Sequence, residues 1–146
     1  MPKGFGSSVI DAPVDEVWAR IRDFNGLPDW HPGIARSEIE DGRAPDSVGA
    51  VRSFYLQDGE HVRETLLALS DLDRTKTYDM LKGPMAWWNY KATLRVLPIT
   101  DGNRTYIEWS AEFDATPEDE AGLIEFVEQG VFQGGFDALK AHFATR

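Results

Sequence analysis

Val14, Val17, Trp18 and Ile21 recur at helical spacing, which predicts a short helix over residues 14–22. It follows a strand over 4–11 that Asp11-Ala12-Pro13 closes. Asn25-Gly26-Leu27-Pro28 breaks the helix, and Leu27–Trp30 fits one further turn before His31-Pro32-Gly33. From there to about residue 114 the apolar period shortens to two. Asp41-Gly42, Asp58-Gly59, Asp71 to Thr75, Gly83-Pro84 and Asp101-Gly102 punctuate the run. Asp-Gly between alternating segments is a hairpin signal, so strands are expected near 34–40, 48–57, 61–70, 75–82, 87–98 and 104–114. With the first strand that makes seven.

Thr116-Pro117-Glu118-Asp119 opens the last segment, with Thr as N-cap, Pro at the first helical position and acids in the first turn. Leu123, Phe126, Val127, Val131, Phe132, Leu139 and Phe143 continue an apolar stripe, predicting one helix of about 25 residues. Gly130, Gly134 and Gly135 each cost on the order of 1 kcal/mol in a helix interior. Close approach of backbone to another group, a bend across a sheet, or simple tolerance would each account for them. The order β-α-α-β6-α describes an α+β fold whose long helix buries its apolar face on the concave side of a curved antiparallel sheet.

The chain has 146 residues, of which 42% are hydrophobic and 27% charged, enough for one globular domain over 1–146 with its own core. The formal net charge of −10 repels phosphate backbones, so nucleic acid and anionic membrane are poor partners. No apolar run reaches the roughly 20 residues a membrane helix needs, and no signal-peptide pattern opens the chain. A cytoplasmic monomer or weak homodimer is expected. Cysteine is absent, which removes disulfide and thiol chemistry.

Alternation sorts the strands into faces. Ile107, Trp109, Ala111 and Phe113 share one face; Trp88, Tyr90, Ala92, Leu94 and Val96 share one in the strand before, and Tyr78 and Met80 look inward by the same logic. Two charges fall on apolar faces: Glu64 has the parity of Val62, Leu66 and Ala68, and Arg52 that of Phe54 and Leu56. Both lie six positions from Asp58, which makes them cross-strand partners. An isolated buried carboxylate must be paired, hydrogen-bonded or protonated, so an inward Arg52–Glu64 pair is expected, either functional or holding register. His31 is the best-placed histidine, either as an acid–base group near a pocket or as a loop residue bonded to a backbone carbonyl; His61 and His142 are expected at the surface. Three scattered histidines have no metal-ligand spacing, and there is no Gly-rich phosphate loop or nucleophile elbow, so neither metal nor cofactor is expected. Trp87, Trp88, Trp109, Tyr78, Tyr90, Phe54, Phe132 and Phe136 are either core or the wall of an incompletely filled space.

Ala12-Pro13-x-x-x-Val17-Trp18, Asp23-Phe24, Trp30-His31-Pro32, Gly49-x-x-Arg52, Glu64, Asn89-Tyr90-x-Ala92-Thr93 and the Trp109-to-Phe113 strand together resemble the polyketide cyclase/dehydrase-like branch of the START-like (SRPBCC) superfamily, over about residues 5 to 143. That superfamily includes the birch-pollen-allergen-like proteins and the plant abscisic-acid receptors. The resemblance implies a helix-grip fold with an internal pocket for a small hydrophobic or aromatic molecule. It places His31 where the receptors have a pocket lysine, and Glu64, Tyr90, Phe54, Tyr78 and Phe132 at other pocket-facing positions. Trp109 stands where the receptors carry a carboxylate, which implies a more apolar ligand. Their gate loop is replaced by Gln57-Asp58-Gly59-Glu60-His61, so hormone sensing is not implied.

Two functions follow as expectations. In the first the chain is a binding or carrier protein, its ligand held by Trp30, Phe54, Tyr78, Met80, Trp88, Trp109, Phe132 and Phe136. In the second it is a cyclase or dehydratase in which His31 and Glu64 act as acid and base, Arg52 tunes their charge and Tyr90 hydrogen-bonds a carbonyl or oxyanion.

Overall fold

The computed structural model describes residues 3–144; Met1, Pro2, Thr145 and Arg146, which belong to the domain expected over 1–146, lie outside the described residues. Seven antiparallel strands form one sheet in the order β1-β7-β6-β5-β4-β3-β2. They are β1 (Lys3–Ile10), β2 (Ile34–Ile39), β3 (Val51–Leu56), β4 (His61–Ser70), β5 (Thr75–Lys82), β6 (Trp88–Ile99) and β7 (Arg104–Asp114). Two short helices, α1 (Val14–Ile21) and α2 (Leu27–Trp30), connect β1 to β2. The C-terminal helix runs as α3 (Pro117–Glu125), a π-helical segment (Phe126–Gln133) and α4 (Gly134–Ala144). This is the helix-grip arrangement: a curved sheet closed by a long final helix.

Local chemistry explains most boundaries. The β3–β4 hairpin turns at Asp58-Gly59, where Gly59 has φ +90°, a conformation that costs glycine no Cβ clash. Asp41-Gly42 behaves differently from the hairpin expected there, forming a 3-10 turn (Glu40–Gly42) that begins a longer connection, and β3 starts only at Val51. Pro13 leads directly into α1, whose Val17, Trp18 and Ile21 are buried. Trp18 Nε1 and Arg22 Nε each donate at 2.8 Å to Asp71 Oδ1 and so fasten the helix to the β4–β5 turn. Thr116 occupies the N-cap position of α3, but its hydroxyl donates to Asp119 Oδ2 at 3.0 Å.

Phe132, Phe136 and Leu139 of the final helix are completely buried, each contributing about 1.5–3 kcal/mol by leaving water. The helix can approach because β1 offers glycine: a Cβ on Gly4 would lie 2.5 Å from Val127 Cγ1, and one on Gly6 would lie 3.1 Å from Phe136 Cε2. The helix uses glycine in return. A Cβ on Gly135 would meet Trp109 Cζ3 at 2.9 Å, Trp30 Cζ3 at 3.2 Å and His31 Cδ2 at 3.3 Å. Of the explanations open for the helix glycines, close approach therefore holds at Gly135.

Gly135→Ala should destabilise the protein by about 1–2 kcal/mol through overpacking, despite alanine's better helix propensity. Gly122→Ala, with nothing near its Cβ position, should stabilise by about 0.5–1 kcal/mol. Urea unfolding of the two variants checks the contrast; equal effects would contradict this packing.

Candidate functional site

Between the sheet and the final helix lies a cavity of about 380 Å³, within the size range of small-molecule sites. Its walls are mostly apolar: Leu27, Ile34, Phe54, Leu56, Val62, Met80, Met85, Trp87, Trp109 and Phe126. Its polar groups are His31, Arg52, Glu64, Tyr78 and Tyr90, with Gln57 and Asp58 at the β3–β4 turn. The exposed lining residues Gln57, Asp58, Phe126 and Gly130 mark where the cavity reaches the surface.

Arg52 on β3 and Glu64 on β4 are direct cross-strand partners. Arg52 Nε donates to Glu64 Oε1 at 2.8 Å, and Nη2 lies 2.7 Å from the same oxygen. Nη1 donates to the Phe24 carbonyl at 3.3 Å. The guanidinium sits 4.1 Å from the Phe24 ring centroid and 4.7 Å from that of Tyr78, a desolvated cation–π setting. Arg52 and Glu64 are 2% and 4% exposed, so the pair lacks the water that normally solvates charges and must rely on these contacts. Burial pushes the Glu64 carboxyl above its ordinary range, with Arg52 pulling the other way.

A third buried charge was missed from sequence. Lys76 has the inward parity of Tyr78 and Met80, is 2% exposed, and donates from Nζ to the Ile21 carbonyl at the end of α1. Burial and then Arg52 hold its ammonium well below the usual lysine range. Parity alone could have flagged it.

His31 packs in the loop after α2 with both ring nitrogens engaged. Nδ1 accepts from Gly33 N–H at 3.1 Å, so the neutral ring carries its proton on Nε2, which donates to the Val131 carbonyl at 3.1 Å. Burial lowers its pKa below 6.5, the Val131 bond opposing and Arg52 assisting. The backbone-bonded loop histidine is thus the arrangement present.

Of the other residues singled out from sequence, Phe54, Tyr78, Met80, Tyr90 and Trp109 line the cavity. Trp30, Phe132 and Phe136 do not: they are buried in the core, Trp30 next to Trp109 and Phe132 stacked on it at 4.8 Å. The cause on the helix is the π segment, whose hydrogen bonds repeat at five residues. Phe126 and Val131, five apart, share the cavity, while Val127 and Phe132, also five apart, share the core.

Trp88 requires a correction. It is 51% exposed and outside the cavity, while Trp87 is buried in its wall. The β6–β7 register shifts between Trp88 and Lys91, and Asn89 adopts φ +54°, a left-handed conformation that Asn tolerates. Counting alternate residues through that bulge selects the wrong tryptophan. His61 lies on the outer face, half-buried, with Nε2 2.6 Å from Ser53 Oγ and its ring stacked on Tyr55 at 4.6 Å.

Comparison with known proteins adds the family. The family described as "Polyketide cyclase / dehydrase and lipid transport" matches residues 3–144. The chain belongs to it. A family member's fold is visible in solved structures across low identity. XoxI from Bacillus cereus is 30% identical with a TM-score of 0.89, covering 99% of this chain and 96% of that one. An uncharacterised protein from Bacillus thuringiensis is 32% identical with a TM-score of 0.87, covering 97% and 98%. Norcoclaurine synthase from Thalictrum flavum, solved with dopamine and hydroxybenzaldehyde, is 21% identical with a TM-score of 0.76, covering 99% and 87%, and here the likeness is one of fold. A comparison with curated proteins gives no match.

His31 favours its neutral form in the folded state, so its stabilisation is present above pH 6.5 and is lost as pH falls through its lowered folded pKa. Glu64 acts with the opposite sign, since its raised folded pKa makes acidification favourable to the fold. Comparing wild type with His31→Gln isolates the histidine. Urea unfolding from pH 7.5 to 5.5 should show wild type losing more stability than the variant as the histidine is driven towards its charged form; parallel profiles would contradict a neutral His31.

Proposed function

We propose that the protein binds a small hydrophobic or aromatic molecule in the cavity between sheet and final helix. The observation that carries this reading is the cavity itself: an apolar chamber of about 380 Å³ that side chains leave open, with Arg52, Glu64 and a few other polar groups in its wall. Burying apolar ligand surface at about 25 cal/mol per Å² supports micromolar affinity without any chemistry. Membership of a family described by both cyclase/dehydrase and lipid transport supports an apolar cargo or substrate.

A second reading, an enzyme of the cyclase or dehydratase kind, draws support from one feature. Glu64 lines the cavity with its pKa raised, which brings a carboxyl towards the range where it can give and take protons at neutral pH. His31, with both nitrogens held by backbone, suits a structural clasp better than a proton carrier. The proton-transfer role therefore passes to Glu64, with Arg52 tuning it.

Leu56 lines the cavity and is half-buried, so Leu56→Trp should fill the chamber. With 2-ethylnaphthalene as probe, equilibrium dialysis should give saturable binding of one equivalent to wild type. In the variant affinity should fall at least about tenfold, the equivalent of 1.4 kcal/mol. Equal binding by both proteins would place the probe elsewhere and reject the cavity as the site.

A further inference from the structure

The sheet ends on one side at β2, whose outer edge no other strand covers. Backbone groups along a strand point alternately to its two sides. Leu56 N–H donates to the Glu60 carbonyl at 2.9 Å and Leu66 N–H to the Ala50 carbonyl at 2.8 Å. The even-numbered residues of β3 therefore bond to β4, while Val51, Ser53 and Tyr55 turn towards β2. Arg36 and Glu38 are the register partners of Tyr55 and Ser53, which leaves the N–H and C=O of Ser37 and Ile39 directed away from the sheet. Neither amide finds a partner among the described residues. The Ser37 hydroxyl is engaged with Asn25 Oδ1 at 2.9 Å, so it does not compete for these backbone groups.

The side chains on this edge have a pattern of their own. Arg36 and Glu38 are both exposed on the outer face, where the Arg36 guanidinium lies 4.0 Å from the Tyr55 ring centroid. Among the described residues neither forms an ion pair. Edge strands are blunted by charges that stop other strands from adding. Here two opposite charges stand two residues apart on one face, a spacing that complements itself when the strand meets its own copy antiparallel.

We propose that β2 is a homodimer interface, at which two copies pair antiparallel about a two-fold axis at Ser37 and continue the sheet from one subunit into the other. Each Ser37 N–H donates to the Ser37 carbonyl of the second copy. Arg36 then stands opposite the second copy's Glu38, and Glu38 opposite its Arg36, in the close positions where cross-strand side chains interact most. Ile39 comes opposite Ala35 on the inner face. Charge and backbone direction together fix this register. An axis at Ile39 would set Glu38 against Glu40, and an axis at Arg36 or Glu38 would oppose like charges and require backbone groups already bonded to β3. The patch is the same on both subunits, as a two-fold interface demands. A six-residue edge falls short of the roughly 1,200 Å² that stable interfaces bury, so the dimer is reversible and forms at high protein concentration.

Sedimentation equilibrium on wild type up to about 1 mM should show monomer and dimer in exchange. Arg36→Glu and Glu38→Arg should each weaken self-association at least about tenfold, because each places like charges opposite one another on both sides of the axis. An equimolar mixture of the two variants should associate as wild type does, since the all-acidic edge of one meets the all-basic edge of the other. That restoration also shows both variants folded. Amide hydrogen exchange at Ser37 should slow as wild type is concentrated. A wild type that stays monomeric at the highest concentration would overturn the assignment. So would variants that each dimerise as well as wild type, or a mixture of the two that stays monomeric.

Discussion

The structure depends on how it accommodates a charge pair where charges are expensive. Arg52 and Glu64 face each other across β3 and β4 in the interior. Phe24, Tyr78 and Phe54 surround the guanidinium, and the Phe24 carbonyl takes one of its hydrogens. Breaking such a pair by removing one partner typically costs about 3–5 kcal/mol. The chain segment between α1 and α2 is placed by the same cluster, since Lys76 holds the end of α1 from below while Arg52 holds Phe24. Sheet register, helix position and the polar end of the cavity are therefore one constraint.

The second constraint is the final helix. Its middle turns are π-helical, and the five-residue repeat divides side chains between cavity and core in a way a 3.6-residue repeat would not. Glycine at β1 and at Gly135 lets this helix lie close to its neighbours along one side, from Val127 to Phe136, while Phe126, Gly130 and Val131 line the cavity on another. His31 ties the loop after α2 to the Val131 carbonyl, and Gln57 Nε2 donates to the Pro32 carbonyl at 3.2 Å. Loop, hairpin and helix thus meet around the cavity through named hydrogen bonds.

Much of this was legible in the sequence because strand parity is a strict period. β7 alternates buried and partly exposed residues along its whole length, and its inward set was readable as such. The Arg52–Glu64 pairing followed from parity and a single Asp-Gly turn. The misreadings share a cause: a local departure from the period. The bulge at Asn89 exchanged Trp87 for Trp88, and the π register moved Phe132 from cavity to core. Neither departure has a strong local signature, since a left-handed Asn and a π turn arise from tertiary packing. Lys76 was missed for another reason, that lysine is seldom fully buried, although its parity placed it among the inward residues.

Native mass spectrometry beside a denatured spectrum tests the central claim, an internal site for one small apolar molecule. The protein incubated with 2-acetylnaphthalene, or carrying a ligand from its host, should show a single added mass that disappears on denaturation. A bare chain under both conditions, or several equivalents added without saturation, would contradict it.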